Sequence, residues 1–148
     1  MNGIIRKAKS SDIDAVFKIE KSQFGTWKRE HFEDEVFNSL SYFYVIEDYI
    51  SQDIIGFIIF WIIDEIAELH SISIYDDYKR QGYAKYLINH MFDILRNKKI
   101  REVFLEVRKS NIPAINLYKQ LKFNKISERK EYYRSPVEDA MIFRRSIY

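Results

Sequence analysis

The most constraining stretch of this sequence is Tyr78-Lys79-Arg80-Gln81-Gly82-Tyr83-Ala84-Lys85, a basic loop carrying one of the chain's 4 glycines. It separates two segments of different period. Before it, Ala67-Glu68-Leu69-His70-Ser71-Ile72-Ser73-Ile74 alternates in its second half and predicts a strand. After it, between Tyr86 and Asn97, Leu87, Met91, Ile94 and Leu95 recur at helical spacing. A strand entering a helix through such a loop turns the first, unpaired N–H groups of the helix outward. With the positive end of the helix dipole, those donors suit phosphate or pyrophosphate. Gly82 lets the backbone approach a ligand closely, Ala84 adds little bulk, and Lys79, Arg80 and Lys85 add charge. A lone glycine in a basic loop is more often an ordinary solvated connection, so the rest of the chain has to decide.

At 148 residues the chain predicts one domain, 1–148, with room for a substantial core. A hydrophobic content of 47% with 16% aromatics argues for a folded globule over disorder. The net charge of +2, without a segregated basic block, argues against nucleic acid as a partner. With 0 cysteines there is no disulfide framework, thiolate metal site or cysteine nucleophile. His31, His70 and His90 lack metal-ligand spacing, so no metal is expected. Met1 to Lys7 has no apolar signal core, and the longest apolar run, Ile54 to Ile63, is too short to span a bilayer. No membrane association and a cytoplasmic location are therefore expected, and the mixed surface predicts a monomer or weak dimer.

In order, Ile4 to Ala8 predicts a first strand. Ser10 or Ser11 can cap a helix carrying Ile13, Val16, Phe17 and Glu20. Phe24-Gly25-Thr26-Trp27 breaks that pattern, and Thr26 or Trp27 can open a second helix with Phe32, Val36 and Phe37 on one face. Tyr42 to Glu47 and the buried run Ile54 to Ile63 read as strands. Past the basic loop and its helix comes Glu102 to Arg108, where Val103, Leu105 and Val107 share one face and Phe104, Glu106 and Arg108 the other. Asn111 can cap a short helix with Pro113 in its first turn and Ile115, Tyr118 and Leu121 along it. Phe123 to Tyr132 and Ala140 to Ile147 read as two strands around a turn containing Pro136. The order β-α-α-β-β-β-α-β-α-β-β predicts an α/β domain whose mixed, mostly antiparallel sheet is flanked by about four helices.

Three residues of the second half could carry chemistry. Glu106 projects from a strand whose other face is apolar; it fits a cross-strand ion pair or a rigidly held general base. Tyr118 has core spacing, yet a phenol with a pKa of about 10 stays protonated at neutral pH and can donate to a departing thiolate. Asn111 is most simply a helix cap. Trp27 fits a core plug better than a ligand contact on sequence alone.

Taken together, Leu105-Glu106-Val107-Arg108-Lys109-Ser110-Asn111, Ala114-Ile115-Asn116-Leu117-Tyr118 and Leu121-Lys122-Phe123 strongly resemble the latter half of the GCN5-related N-acetyltransferases (GNAT superfamily). Within that superfamily the chain resembles the ribosomal-protein-alanine N-acetyltransferases (RimI type). The resemblance spans essentially the whole chain, from Trp27, Phe32 and Glu35 through Ala67-Glu68-Leu69 to Tyr132-Tyr133, Pro136 and Glu138-Asp139-Ala140-Met141. It implies acetyl-CoA as cosubstrate. The superfamily's pyrophosphate loop, Arg/Gln-x-x-Gly-x-Gly/Ala, corresponds to Lys79-Arg80-Gln81-Gly82-Tyr83-Ala84, followed by Lys85, with Lys79 departing from the usual first residue. The resemblance further implies that main-chain groups of Ile72, Ser73 and Ile74 bind the pantetheine arm like an added strand, with one N–H polarising the acetyl carbonyl. Asn111 would contact the coenzyme, Glu106 would accept the proton and Tyr118 would donate one. Trp27, Tyr132 and Tyr133 would line a peptide groove, with Glu138 and Asp139 near its mouth favouring basic tails. Lys122 stands where glycine is frequent, in a turn that favours positive φ. His70-Ser71 stands where Leu-Asn is common and can alter the groove wall.

The implied function is acetyl-CoA-dependent acetylation of a protein α-amine, by resemblance the N-terminal alanine of a ribosomal protein and other N-termini. At neutral pH roughly a tenth of α-amines are already neutral, against well under a thousandth of lysines, so a carboxylate acting through water suffices. No residue is suited to carry the acyl group, so direct transfer is expected. A lysine or small-molecule amine is an alternative acceptor, and a non-catalytic coenzyme- or partner-binding module is an alternative of another class; an aligned acid and base argue against the latter. A phosphate-loop NTPase or dinucleotide-binding domain lacks its glycine signature here.

Overall fold

The ten-residue apolar run that forms β3 is possible because helices cover both faces of the sheet it lies in. The computed structural model describes residues 2–23 and 25–148, so Phe24 and Met1 lie outside the described residues. The elements are β1 (Gly3–Lys7), α1 (Ile13–Lys21), α2 (Arg29–Phe37), β2 (Ser41–Asp48), β3 (Ile54–Ile63), β4 (Ile66–Ile74), α3 (Tyr83–Asn97), β5 (Glu102–Arg108), α4 (Ile112–Gln120), β6 (Asn124–Arg134) and β7 (Val137–Ser146). Their order is the one expected. They build a seven-stranded sheet, β1-β2-β3-β4-β5-β7-β6, antiparallel except at β4–β5. Phe57 and Ile59 of β3 point toward α1 and α2, joining Ile13, Val16, Ile19 and Phe32. Ile58 and Phe60 point the other way, joining Leu87, Ile88, Met91 and Leu95 of α3 and Tyr118 of α4.

β4 and β5 are parallel neighbours only from Ile66–Glu102 to Leu69–Leu105. At that point β4 bulges: Phe60 faces Leu69 and Ile59 faces Ser71, so His70 is the extra residue. The bulge accounts for a phase break in the sequence, since Ala67 and Leu69 are buried on the same side as Ile72 and Ile74. Past it, β4 continues along β3 to Ile74, while β5 continues along β7 to Arg108. The two central strands part, and the β5-facing edge of β4 has no strand beside it.

Local details differ from the sequence expectations. Neither Ser10 nor Ser11 caps α1. The Asp12 carboxylate accepts the Lys9 N–H at 2.7 Å and a guanidinium fork from Arg6 at 2.8 and 2.9 Å. α2 begins at Arg29, not at Thr26 or Trp27, with the Lys28 N–H donated to His31 Nδ1. Phe37 is 79% exposed because, five residues from Phe32, it lies about 140° round the helix; Glu35 takes the buried position instead. Asn111 caps α4 as expected, accepting the Ala114 N–H at 3.4 Å. Lys122 keeps the left-handed turn despite its side chain, with φ +73°.

Candidate active site

The parting of β4 and β5 opens a cavity of ≈ 160 Å³ lined by Ser71, Ile72 and Ser73 of β4, Glu106 and Arg108 of β5, Asn111, Tyr118 and Tyr133. It leads into a cleft of ≈ 430 Å³ whose floor includes Glu68, His70, Phe104 and Glu106. One wall of that cleft is Trp27, from the α1–α2 connection; the other is Tyr132 and Tyr133, from β6. Residues separated by more than a hundred positions in the chain thus face each other over Glu106.

Alternation of β5 places Glu106 on the face opposite Val103, Leu105 and Val107, which are buried against α3 and α4. Its carboxylate is 3.9 Å from Arg129 Nη1 of the neighbouring hairpin and lies beside the Tyr132 hydroxyl. The carboxylate, with burial, raises the Tyr132 pKa. The cross-strand pairing considered from sequence is therefore real but long, and it leaves Glu106 in the cleft.

Tyr118 fulfils both readings open to it. Its ring lies in the core against Phe123 and Phe143, at centroid distances of 5.7 and 6.4 Å, while the residue lines the smaller cavity with Glu106. Burial and the neighbouring Tyr133 hold its phenol well above the usual range, so it keeps its proton at neutral and moderately alkaline pH. Tyr133 is pushed up to about 12, first by burial and then by the Glu106 charge. Arg108 anchors that wall: its guanidinium lies 4.2 Å from the Tyr133 ring centroid and donates to the Pro136 and Ser135 carbonyls at 3.2 and 3.3 Å. The sequence placed Arg108 on the face of Glu106 but gave no sign of this role.

Glu138 and Asp139, expected near the mouth of the groove, are engaged by neighbouring segments, Glu138 by the end of β5 and the loop after it and Asp139 by β6. Glu138 accepts the Ser110 N–H and pairs with Arg108. Asp139 accepts the Glu131 N–H at 2.9 Å and pairs with Lys130. The Glu131 contact sits in an irregularity between Arg129 and Tyr133, where Glu131 has φ +50°. This bulge positions Tyr132 and Tyr133. The acidic groups on the groove floor are Glu68 and Glu106, with Arg129 beside them.

His70 lines both spaces, packs 4.4 Å from the Trp61 ring and approaches Glu68 Oε1 at 3.3 Å, so it forms part of the groove wall. Trp27 is both plug and wall: its ring stacks on Phe32 at 5.0 Å while it lines the cleft.

The basic loop opens α3 as expected. Gly82 has φ +89°, and a Cβ built on it would meet no atom within 4 Å, so its outer side is clear. Arg80 is also left-handed, with φ +62°. Lys79 is engaged by other segments, bonding Gln23 Oε1 at 2.7 Å and Asp76 at 3.0 Å. Tyr83 is buried against Tyr78 and Ala84 packs against the core, so only their main chain can serve a ligand, as is also so for buried Ile74. Gln81 donates to the Asp77 carbonyl. Arg80 and Lys85 remain exposed beside the α3 N-terminus. An open β4 edge leading to a clear helix N-terminus fits an extended amide chain ending in phosphates.

Among the described residues, no group of His, Cys, Asp and Glu side chains could hold a metal ion, and no helix is long and apolar enough to cross a membrane.

The profile of the Acetyltransferase (GNAT) family matches residues 13–123. A Bacillus subtilis (strain 168) protein provisionally named [ribosomal protein bS18]-alanine N-acetyltransferase is 33% identical over 140 residues, covering 93% of this chain and 91% of that protein. An N-alpha-acetyltransferase of Saccharolobus solfataricus is 31% identical over 158 residues, covering 97% and 92%. The crystal structure of the ribosomal-protein-S18-alanine N-acetyltransferase from Escherichia coli superposes with a TM-score of 0.88 at 28% identity, covering 98% of this chain and 94% of that one. With the parted strands, the glycine loop and the Glu106–Tyr118 cavity, these likenesses show that the chain is an N-acetyltransferase and belongs to the acetyltransferase (GNAT) family.

Proposed function

We propose that the chain, as a single catalytic domain, transfers acetyl from acetyl-CoA to the α-amine of a protein N-terminus, with the N-terminal alanine of a ribosomal protein as its foremost acceptor. The observation that carries this reading is the groove over Glu106, open between the α1–α2 connection and the β6–β7 hairpin. A small amine calls for a closed, acid-lined pocket, whereas this groove has aromatic walls and room for an extended main chain. The names of the similar Bacillus, Saccharolobus and Escherichia proteins support the same acceptor class.

The residues divide the work. Acetyl-CoA supplies the thioester, whose carbonyl carbon is the electrophile. The free main-chain edge of β4 at Ile72 and Ser73 holds the pantetheine arm, and the α3 N-terminus at Gly82 holds the pyrophosphate. Asn111, whose Oδ1 caps α4, keeps its amide NH₂ available at the cavity wall. Glu106 takes the proton of the attacking amine through water, as the new C–N bond forms. Tyr118 gives its proton to the sulfur as the C–S bond breaks, and buried as it is, it still carries that proton. Trp27, Tyr132 and Tyr133 hold the first residues of the acceptor. The reading places the protein in the cytoplasm, where ribosomal proteins are made.

The deciding experiment offers two matched peptides with acetyl-CoA, one with a free N-terminal alanine and blocked lysines, the other with a blocked N-terminus and free lysines. Transfer to the first alone is expected. Transfer to the second alone, or to neither while acetyl-CoA binds, overturns the α-amine assignment.

A further inference from the structure

Glu20 is a buried carboxylate that the transfer chemistry leaves unused. It sits one residue before the end of α1, 4% exposed, on the helix face otherwise formed by Ile13, Val16 and Phe17. It lines the smaller cavity across from Glu106 and Tyr118. A carboxylate so placed costs several kcal/mol of hydration unless hydrogen-bond donors surround it. The donors here come from one short stretch of chain. Oε2 accepts the Trp27 N–H at 3.2 Å, and the Thr26 N–H and hydroxyl lie on the same side and favour the charged carboxylate. Burial dominates the balance and raises the Glu20 pKa, with these bonds opposing it.

The described residues between α1 and α2 form no regular element, and Gly25 is left-handed with φ +66°; the Trp27 ring is held by its stack on Phe32, but its main chain lies outside any helix or strand. Yet Trp27, in that connection, is the wall that faces Tyr132 and Tyr133. Charge-assisted bonds to backbone N–H groups are shorter and stronger than neutral ones, and they carry a direction that apolar packing lacks.

We propose that Glu20 is a positioning residue that sets acceptor affinity: it pins the Thr26–Trp27 main chain so that the Trp27 indole stands as a rigid wall of the acceptor groove. The proposal rests on the reading of that groove as the peptide site. In this role Glu20 acts on the main chain of Trp27 through Oε2, while Glu106 faces the acceptor.

The test compares Glu20→Ala and Glu20→Gln with the wild type in steady-state acetylation of an alanyl peptide. In Glu20→Ala the peptide KM rises roughly tenfold, the scale of one lost charge-assisted bond, while kcat and the acetyl-CoA KM stay within about twofold. Glu20→Gln, which keeps one acceptor oxygen, restores most of the peptide KM. An unchanged peptide KM in Glu20→Ala overturns the proposal, as does a kcat loss at saturating peptide, which would make the residue a participant in the chemistry. A second measurement needs no acceptor. The chain has 2 tryptophans, so Trp61→Phe leaves Trp27 as the only one. In that background Glu20→Ala shifts Trp27 emission to the red and increases its quenching by acrylamide, and Glu20→Gln does so less. Identical spectra overturn the proposal even if the wild type fails to acetylate the peptide, a failure that would count against the acceptor assignment alone.

Discussion

Glu106 meets one guanidinium at 3.9 Å and one phenol, contacts that orient its carboxylate without enclosing it. Glu106→Gln keeps the shape and removes the basicity, so kcat should fall by about 10²-fold or more while the acetyl-CoA KM changes little. Steady-state kinetics with an alanyl peptide check this; a large loss of coenzyme affinity would make the residue structural. Tyr118 gives a prediction in pH. Because burial raises its pKa, the acid form persists as pH rises, and kcat/KM should climb through the acceptor amine's pKa near 8 and stay level to about pH 10. Tyr118→Phe should lower kcat by roughly 10²-fold with the acetyl-CoA KM nearly unchanged. A wild-type profile falling below pH 9 would show that the proton donor is some other group. The faces of both residues were legible from strand and helix period. The companions of Glu106 were not, because Arg129 and Tyr132 arrive from a hairpin whose bulge is set by Asp139.

At the scale of elements, this chain places lysine where glycine commonly ends a helix. After α3 the Ile100 N–H bonds the Leu95 carbonyl at 2.9 Å, and after α4 the Phe123 N–H bonds the Tyr118 carbonyl at 2.9 Å. The intervening Lys99 and Lys122 are left-handed, with φ +58° and +73°. Ile100 and Phe123 are buried, and their packing holds each turn closed against the strain. Lys99→Gly and Lys122→Gly should each stabilise the fold by about 1 kcal/mol, read from chemical denaturation midpoints. At the start of α3 the need for glycine is met. A Cβ at position 82 would meet no atom within 4 Å, so the main cost of Gly82→Val comes from φ +89° and from a branched side chain in the path of phosphate. The acetyl-CoA KM should rise at least about tenfold with the peptide KM little changed, alongside a stability loss of about 1–2 kcal/mol. A stability loss without the KM change would sink the loop assignment. The loop itself was legible because strand period gives way to helix period across it; the partners of Lys79 were not, since Gln23 and Asp76 lie on other segments.

Across the whole molecule, acid sensitivity just below neutral pH should concentrate at one half-buried ring. His90 of α3 packs 4.8 Å from the Tyr44 ring, and among the described residues its Nε2 has no hydrogen-bond partner. Burial lowers its pKa, only partly offset by Asp93. The unfolded chain therefore takes up the proton first, and stability is lost as pH falls below about 6.5, levelling off beneath the folded-state pKa. His90→Phe keeps the aromatic contact and removes the titration, so its urea midpoint should fall less than the wild type's between pH 7.5 and 5.5. Equal losses in the two proteins would assign the acid sensitivity to carboxylates. What the sequence by itself determined is what local period can encode: the order of the elements, the doubly covered β3, the Asn111 cap, and the sides of their strand and helix on which Glu106 and Tyr118 lie. The phase break at His70-Ser71 also encoded the β4 bulge, although it reads as a bulge only once its partner strand is known. Only the tertiary structure decided where β4 and β5 part, which acids face the groove, and how Trp27 comes to stand opposite Tyr133. Those outcomes depend on pairings between distant segments, and a side chain's burial and partners are set by whatever those segments bring beside it.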